Sequence, residues 1–505
     1  MPGPSSEAAA QETLEPTKPD VAGAAASGVL WLTVQKWIIR ITGFVTIAVL
    51  TRLLVPADFG TVAAAGTVLP FFYLFADLGF TAYIVQAEHT EDRMLSTAVW
   101  FSCLAGLCLW LGLWLLAPWM GAVFGTPGVV EVLRVMSVCV VITAAGSVPL
   151  ALLRRQMRFR VIAMQGAVAA LVAQVVAVVL AVRGAGVWAL VAQTLVAALL
   201  TTAMSWVAVH WRPGLRFDPG ELVRMARFGG FVIAVEVIAL ARAWGEAAVI
   251  SAILGAGALG LMTIAQRLVQ IVQDLSGSAV MPVTNVAFAT IRSDGERLRA
   301  AYLRALRMVS LLLSLPLTVV AVAAPVLIQL LFGAGWTGSV AATRLLALAG
   351  TLTAVAWLDH GLFYGLGKPG AWLVYAAATD AVTLGTTLLL VHRGLTAVAL
   401  GFLVVAGLAT VARGLMVRRV LGIDARSLSM PYITVAAVIV PAGALGSLVL
   451  VGTGSWPVWQ RCLATTFTVT LVHLAVSRVA ARATFMEFVD MARRTLESSF
   501  RQGTR

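Results

Sequence analysis

Residues 161–182, VIAMQGAVAALVAQVVAVVLAV, form an uncharged apolar run, and a second run, VWALVAQTLVAALLTTAMSWVAVH at 187–210, follows after the short break RGAG. About 20 apolar residues in a helix cross the roughly 30 Å hydrocarbon core of a bilayer. Similar runs, separated by short polar breaks, recur from Gly28 to Arg482. The pattern predicts an α-helical membrane protein that crosses the bilayer many times.

The composition supports this fold class. The chain has 505 residues, of which 60% are hydrophobic and 12% charged, and its mean hydropathy is +0.93. Soluble chains average about 25% charged residues. No polar segment between Gly28 and Arg482 is long enough to form a domain, which excludes a soluble multidomain enzyme. The cysteine spacings match no zinc or redox motif. We predict that the chain is not an enzyme, with no metal, no cofactor and no catalytic residue.

The apolar runs predict fourteen transmembrane helices, at 28–54, 60–86, 94–117, 128–153, 161–182, 186–210, 222–252, 257–288, 300–331, 339–366, 370–392, 396–420, 430–452 and 457–482. Residues 1–27 are rich in Pro, Ala, Ser and Glu and are predicted to be a disordered tail. Residues 484–505 alternate apolar and charged positions at helical spacing, which predicts an amphipathic helix on the cytoplasmic leaflet or a solvated tail helix.

The net charge of +13 follows the predicted topology. Basic residues retained on the cytoplasmic side during insertion mark the inner loops. Alternate loops and the adjoining helix ends carry most of them, including Arg93, Arg154, Arg155, Arg158, Arg160, Arg212, Arg299, Lys368, Arg413 and Arg418. The other loops carry only Arg52, Arg183, Arg393 and Arg461. This asymmetry predicts that both termini are cytoplasmic, and it removes nucleic acid as a partner.

The chain also repeats itself. LLVPADFGTVAAAG (53–66) resembles ILGAGALGLMTIAQ (253–266), with Gly60 aligned to Gly260, and APWMGAVFG (117–125) resembles APVLIQLLFG (324–333). Parallel repeats build two lobes around a central site in many transporters. We therefore predict an all-α membrane protein with a first repeat of six helices (28–212), a second repeat of six (213–422) and two additional helices (423–483).

Four segments resemble the Wzx-type flippases of polysaccharides and O-antigens: LTRLLVPADFGTVAA (50–64), LFADLGF (74–80), RRQMRFR (154–160) and GAGVWALV (184–191). The superfamily also contains lipid II flippases and multidrug extruders. The resemblance covers nearly all of 28–482. It implies translocation of polyprenyl-pyrophosphate-linked oligosaccharide from the inner to the outer leaflet of the bacterial cytoplasmic membrane. Glycosyltransferases and a polysaccharide polymerase are the partners that it suggests.

Such a cargo carries a pyrophosphate, so basic residues inside spans are the candidate ligands. A central arginine costs about 2.5–3.5 kcal/mol on insertion scales and marks a functional site by default. The candidates are Lys36, Arg40, Arg242 and Arg267, with Gln270 from a polar stripe on the eighth helix. The alternative is that Glu236 and Glu246 neutralise these cations. Candidates for binding a coupling ion are Asp77, Asp274, Asp359 and Asp380.

Other functions fit the sequence less well. A glycosyltransferase or glycan polymerase usually needs a large outer loop, whereas the longest here is about ten residues. The loop after the second helix, AEHTEDRM (87–94), lacks the basic glycine-flanked motif of major-facilitator transporters. An ion-coupled multidrug exporter of the same superfamily remains the alternative, although such exporters typically stop at twelve helices.

Overall fold

The structure, a computed structural model, describes residues 21–86, 91–126, 128–291, 294–487 and 490. The first half of the chain forms helices α1 (Val21–Leu53), α2 (Pro56–Asp77), α3 (Phe80–Gln86), α4 (Asp92–Val123), α5 (Gly128–Met136), α6 (Val138–Arg155), α7 (Phe159–Val182) and α8 (Val187–Ala208). The second half forms α9 (Pro219–Leu254), α10 (Ala256–Thr290), α11 (Gly295–Leu331), α12 (Val340–Thr353), α13 (Ala356–Gly365), α14 (Pro369–Leu390), α15 (Leu395–Leu421), α16 (Ala425–Gly452) and α17 (Val458–Ala480), with two short 3-10 turns at Ala334–Ser339 and Val391–Arg393.

The all-helical membrane class predicted from the sequence is confirmed. Within the described ranges the chain contains no β-strand, and twelve spans are long and apolar enough to cross a bilayer. The long helices α9 (36 residues) and α10 (35 residues) are not among those twelve. With α9 and α10 added to the twelve spans, the described ranges contain fourteen long helices, the number that the sequence predicted. The division into two lobes stays a prediction, and the terms first repeat and second repeat denote only residues 28–212 and 213–422.

Three predicted spans are broken. Residues 60–86 divide into α2 and α3 at Leu78 and Gly79, which have φ of 44° and 72°. A leucine in the left-handed region costs about 1–2 kcal/mol, so the break is held by its surroundings. The spans predicted at 128–153 and 339–366 divide at Ser137 and at Ala354. Hydropathy does not detect such breaks because the flanking residues stay apolar.

The alternating helices give the bundle two different ends. We call the end that carries Arg155, Arg158, Arg299 and Lys368 the basic end, and the end where α1 stops and α2 starts the opposite end. Helix α1 begins at Val21 and so takes in residues 21–27 of the predicted tail. The predicted amphipathic helix at 484–505 lies largely outside the described residues, as do residues 1–20.

The two additional helices pack against each other and against α11. A buried hydrogen bond joins Ser314 Oγ and His473 Nε2 at 2.9 Å, so His473 is a hydrogen-bonded core residue. A Cβ at Gly446 would lie 2.4 Å from the side chain of Val469. Small residues allow this close packing, which membrane helices use in place of a hydrophobic driving force.

At the opposite end, α2 of the first repeat and α10 of the second touch backbone to backbone. A Cβ at Gly60 would lie 1.7 Å from the carbonyl oxygen of Ala256, and a Cβ at Gly260 would lie 1.9 Å from that of Pro56. The sequence alignment of the repeats pairs these two glycines. Within the described residues, this contact closes the bundle at its opposite end because no side chain separates the two helices.

Aromatic and polar contacts flank the glycine pair. Trp336 packs edge-on against Phe59, with 5.0 Å between ring centroids, and its Nε1 donates to the carbonyl of Thr51 at 2.8 Å. On the other side, Ser251 Oγ donates to the carbonyl of Phe124 at 2.9 Å. Each repeat thus contacts the end of the other repeat's first helix. We call this set of contacts the opposite-end seal.

Candidate functional site

A cavity of about 660 Å³ lies mainly within the second repeat. Helices α9, α10 and α12 to α15 line it, and the first repeat contributes Ala63 and Thr67 of α2. Three glutamines of the polar stripe on α10 face the cavity, which are Gln266, Gln270 and Gln273. The polar stripe seen in the sequence therefore lines the cavity at these three positions.

Arg242 reaches this cavity in the company of two carboxylates. Its Nη1 donates to Glu246 Oε1 at 2.7 Å, and its Nε lies 2.8 Å from Asp380 Oδ1 on α14. The Glu246 side chain is only 8% exposed, so its charge depends on the neighbouring guanidinium. This cluster has one more carboxylate than guanidinium. The pairing with Glu246 is the alternative that the sequence left open, whereas the side chain of Glu236 lies outside the described residues.

A second, smaller pocket of about 90 Å³ lies between α1 and α10. Its lining includes Arg40, Phe44, Arg267, Gln270 and Asp274. Arg40 Nη2 lies 3.1 Å from Asp274 Oδ2, an ion pair between the two repeats. Gln270 lines both this pocket and the larger cavity. We call the small pocket the α1–α10 site.

Arg267 is the free cation of the α1–α10 site. Its side chain is exposed to the pocket, and within the described part of the chain it forms no ion pair. The α1–α10 site therefore has one more guanidinium than carboxylate, the reverse of the Arg242 cluster. A planar guanidinium with free donors suits bidentate binding of phosphate oxygens. The sequence alone did not separate Arg267 from its paired neighbours.

The predicted basic residues are divided between these two places rather than gathered in one. Arg40 and Arg267 meet in the α1–α10 site, and Arg242 lies in the larger cavity. Lys36, one turn before Arg40 on α1, is exposed and lines neither space. The four candidates therefore do not share one space in this conformation, because α1 faces the edge of α10 and not the interior of the second repeat.

The sequence grouped Arg413 with the inner loops and the adjoining helix ends, and the structure places it away from the helix end, in a buried ion pair. It lies within α15 and is 2% exposed. Its Nη1 is 3.1 Å from Asp359 Oδ2, and its Nη2 donates to the carbonyl of Leu352 at 2.8 Å. Tyr302 also donates to Asp359, at 2.6 Å. Spacing placed Arg413 with Arg418 and Arg419, whereas its partner on another helix is visible only in the fold.

The four carboxylates named as coupling-ion candidates all have partners in the described structure. Asp274, Asp359 and Asp380 each pair with an arginine. Asp77 Oδ1 accepts from the hydroxyl of Thr81 at 2.7 Å and from its N–H at 3.4 Å, across the break between α2 and α3. Asp77 thus satisfies an N–H group at the start of α3. Their role in ion coupling stays a prediction.

Comparison with known proteins identifies the family. The sequence profile described as polysaccharide biosynthesis protein matches residues 49–341, more than half of the chain. The chain belongs to this family. It is 30% identical over 312 residues to the succinoglycan biosynthesis transport protein ExoT of Rhizobium meliloti, a match that covers 61% of this chain but less than two thirds of ExoT (63%).

Two further relatives agree with this family. The lipopolysaccharide biosynthesis protein WzxC of Escherichia coli is 25% identical over 335 residues, which cover 65% of this chain and 67% of WzxC. The lipid II flippase MurJ, in a structure described as inward closed, superposes with a TM-score of 0.74 over 90% of this chain and 99% of MurJ. Because that structure is only 11% identical in sequence, it shows a shared fold alone. The family match and the sequence relatives confirm the resemblance to the polysaccharide flippases.

Proposed function

We propose that this chain transports lipid-linked oligosaccharide across the bacterial cytoplasmic membrane, from the inner to the outer leaflet, for the assembly of a surface polysaccharide. One observation carries the proposal. Among the described residues, Arg267 offers a free guanidinium beside the Arg40–Asp274 pair, inside an apolar bundle and next to a cavity that three glutamines line. Family membership supports the same function, and the relatives named above are biosynthesis and transport proteins of surface glycans.

The charges of the α1–α10 site fit a pyrophosphate. Arg267 binds its oxygens directly, and Arg40 joins when the diphosphate competes with Asp274 for the guanidinium. Asp274 has a side chain that is 41% exposed, so losing its partner leaves it in contact with water and not buried without compensation. Gln270 then links the pyrophosphate to the larger cavity, whose glutamines and threonines offer hydrogen bonds to sugars.

The seal at the opposite end supports a conformation that is loaded from the basic end. Because α2 and α10 touch at Gly60 and Gly260, the described structure is closed there. We propose that the basic end faces the cytoplasm, with both termini on that side, and that the cargo is loaded from the inner leaflet before the repeats rock to open the other end. Transport makes and breaks no covalent bond. Glycosyltransferases supply the cargo and a polymerase consumes it.

Substitution of Arg267 tests the proposal. The measurement is the flipping of a fluorescent undecaprenyl-pyrophosphate-linked oligosaccharide in proteoliposomes, together with surface polysaccharide in cells that lack the chromosomal gene. Arg267→Gln should lower the transport rate by roughly 10- to 100-fold, because a charge-assisted hydrogen bond contributes about 1.5–3 kcal/mol. Arg183→Gln, at an exposed arginine of the opposite end, is the matched control and should transport normally.

Two outcomes separate success from failure. Arg267→Lys keeps the charge but loses the bidentate fork, so an intermediate rate is expected. Wild-type flipping by Arg267→Gln, with normal amounts of protein in the membrane, would rule out this site.

A multidrug exporter is the second candidate because the Arg242 cluster, with its excess carboxylate, suits an organic cation. In that case, cells that produce the chain would resist ethidium in a manner that depends on Asp380. Unchanged resistance in those cells argues against it.

A further inference from the structure

Four aromatic rings cluster at the basic end of the second repeat. His360 stacks on Tyr364 with 4.1 Å between ring centroids and a 20° interplanar angle. The ring of Trp372 meets His360 edge-on at 5.6 Å and lies 5.1 Å from Tyr375. The rings come from α13 and α14 on either side of the turn that contains Lys368. We call His360, Tyr364, Trp372 and Tyr375 the aromatic cluster.

The aromatic cluster continues the wall of the large cavity. Ala356, Tyr375 and Ala376 line the cavity. His360 lies one turn beyond Ala356 on α13, and Trp372 lies one turn before Ala376 on α14. The rings therefore occupy the next layer of the same helical faces, displaced toward the basic end. Eight residues separate Trp372 from Asp380, which places the cluster about 12 Å along α14 from the Arg242 ion pairs.

Aromatic residues near a membrane surface often anchor a protein in the lipid headgroups. The aromatic cluster differs from such an anchor because Tyr375 faces the cavity and its hydroxyl donates to the carbonyl of Ala409 on α15 at 3.3 Å. Phe363, which is 1% exposed, supports Trp372 from the protein interior at 6.1 Å. Tyr375 thus lines the cavity itself, while the other three rings lie on the adjoining turns of α13 and α14, toward the basic end.

The chemistry of the aromatic cluster matches a sugar ring. A pyranose has faces of C–H bonds and an edge of hydroxyl groups, while an aromatic face carries partial negative charge that attracts such C–H bonds. Tyr364 is 48% exposed, so part of its ring is open to a ligand. Nδ1 of His360 is buried and has no hydrogen-bond partner in the described part of the chain. Buried polar atoms without partners are uncommon, and a ligand hydroxyl reaches this nitrogen only when the stacked rings move apart.

We propose that the aromatic cluster is a saccharide-binding subsite at the mouth of the cavity, which holds the sugars of the lipid-linked glycan while the α1–α10 site holds the pyrophosphate. This inference rests on the proposed function and assigns the two chemical parts of the cargo to two separate places. It makes the second repeat the part of the molecule that distinguishes a glycosylated lipid from a bare one.

The test compares two ligands on the purified full chain. The probes are undecaprenyl pyrophosphate and the same lipid carrying a hexose disaccharide, and the measurement is affinity from the ligand-dependent rise in thermal midpoint. The wild type should bind the glycosylated lipid more tightly than the bare lipid. Trp372→Ala should bind the glycosylated lipid roughly 3- to 10-fold more weakly, as expected for the loss of one stacked ring, and should bind the bare lipid normally.

Control variants keep the result interpretable. Tyr364→Ala removes a half-exposed ring and tests the subsite independently if Trp372→Ala does not fold. Trp119→Ala removes an exposed tryptophan of α4 and should change neither affinity, whereas Arg267→Gln should weaken binding of both lipids. An unchanged preference for the glycosylated lipid in Trp372→Ala or Tyr364→Ala overturns the subsite. If the wild type binds neither lipid, the proposed function itself fails.

Discussion

Gly60 offers the sharpest test of the opposite-end seal. Alanine at this position places a Cβ 1.7 Å from the carbonyl oxygen of Ala256. Carbon and oxygen atoms in contact need about 3.2 Å or more, so α2 and α10 must separate by roughly 1.5 Å in the sealed conformation. Neither atom belongs to a flexible side chain, so the strain cannot be relieved by a change of rotamer. The substitution should therefore penalise the sealed state.

The size of the effect follows from overpacking. Forcing an additional methyl group into a packed contact costs about 1–3 kcal/mol. If the open state carries no such penalty, the ratio of open to sealed molecules rises by roughly 5- to 150-fold. A chain that cannot reseal does not complete the transport cycle, so flipping should fall with the same substitution.

Distance measurements between spin labels report this change directly. Val55 and Ile253 are exposed at the opposite end, one on each repeat, and serve as labelling positions after conversion to cysteine in a background without the native cysteines. Gly60→Ala should shift the distance distribution to longer values. Gly66→Ala, six residues further along α2, is the matched control because a Cβ there meets nothing within 4 Å.

Two results would refute this reasoning. One is an unchanged distance distribution in Gly60→Ala, which would mean that the seal yields without opening. The other is an equal shift in Gly66→Ala, which would trace the effect to helix propensity and not to the helix contact. Gly260→Ala, with its Cβ 1.9 Å from the oxygen of Pro56, should reproduce Gly60→Ala.

Two further predictions concern stability. Arg413→Ala or Asp359→Ala leaves a buried charge unpaired and should destabilise the chain by about 3–5 kcal/mol. The double variant Arg413→Met with Asp359→Leu removes both charges and should be closer to the wild type in stability. Equal thermal midpoints for the single variants and the double variant would contradict this. Backbone N–H groups of Glu221 and Gly220 hold the pKa of Asp218, before α9, below its ordinary 3.8. Ionised Asp218 stabilises the fold above pH 3.8, and this stabilisation is lost as the pH falls through the lowered pKa. The fall in thermal midpoint on acidification should therefore be smaller in Asp218→Asn than in the wild type.

Hydropathy and motif patterns predicted the class and the family. Each apolar run is a local property of the chain, and a bilayer requires every spanning segment to satisfy its own backbone as a helix. For that reason the spans at 161–182 and 187–210 could be placed without a fold. The polar stripe of α10 was equally visible, since Gln266, Gln270 and Gln273 recur at spacings of three and four residues.

The sequence could not show which of the interior cations form ion pairs. The sequence identified Arg40, Arg242 and Arg267 as interior cations but treated them alike. In the structure Arg40 pairs with Asp274 and Arg242 with Asp380. An ion pair depends on which helix faces which, and residues on different helices, far apart in the sequence, leave no spacing pattern. The same reason hid the pairing of Arg413 with Asp359.

The sequence by itself determined that this chain is a helical membrane protein of the polysaccharide biosynthesis family. The reason is that each apolar span and each family motif is contained in one short segment of the chain. Only the tertiary structure decided which cation is left free, where the helices touch at Gly60 and Gly260, and which rings extend the cavity wall. Those features depend on contacts between helices, which arise only when the whole bundle is packed.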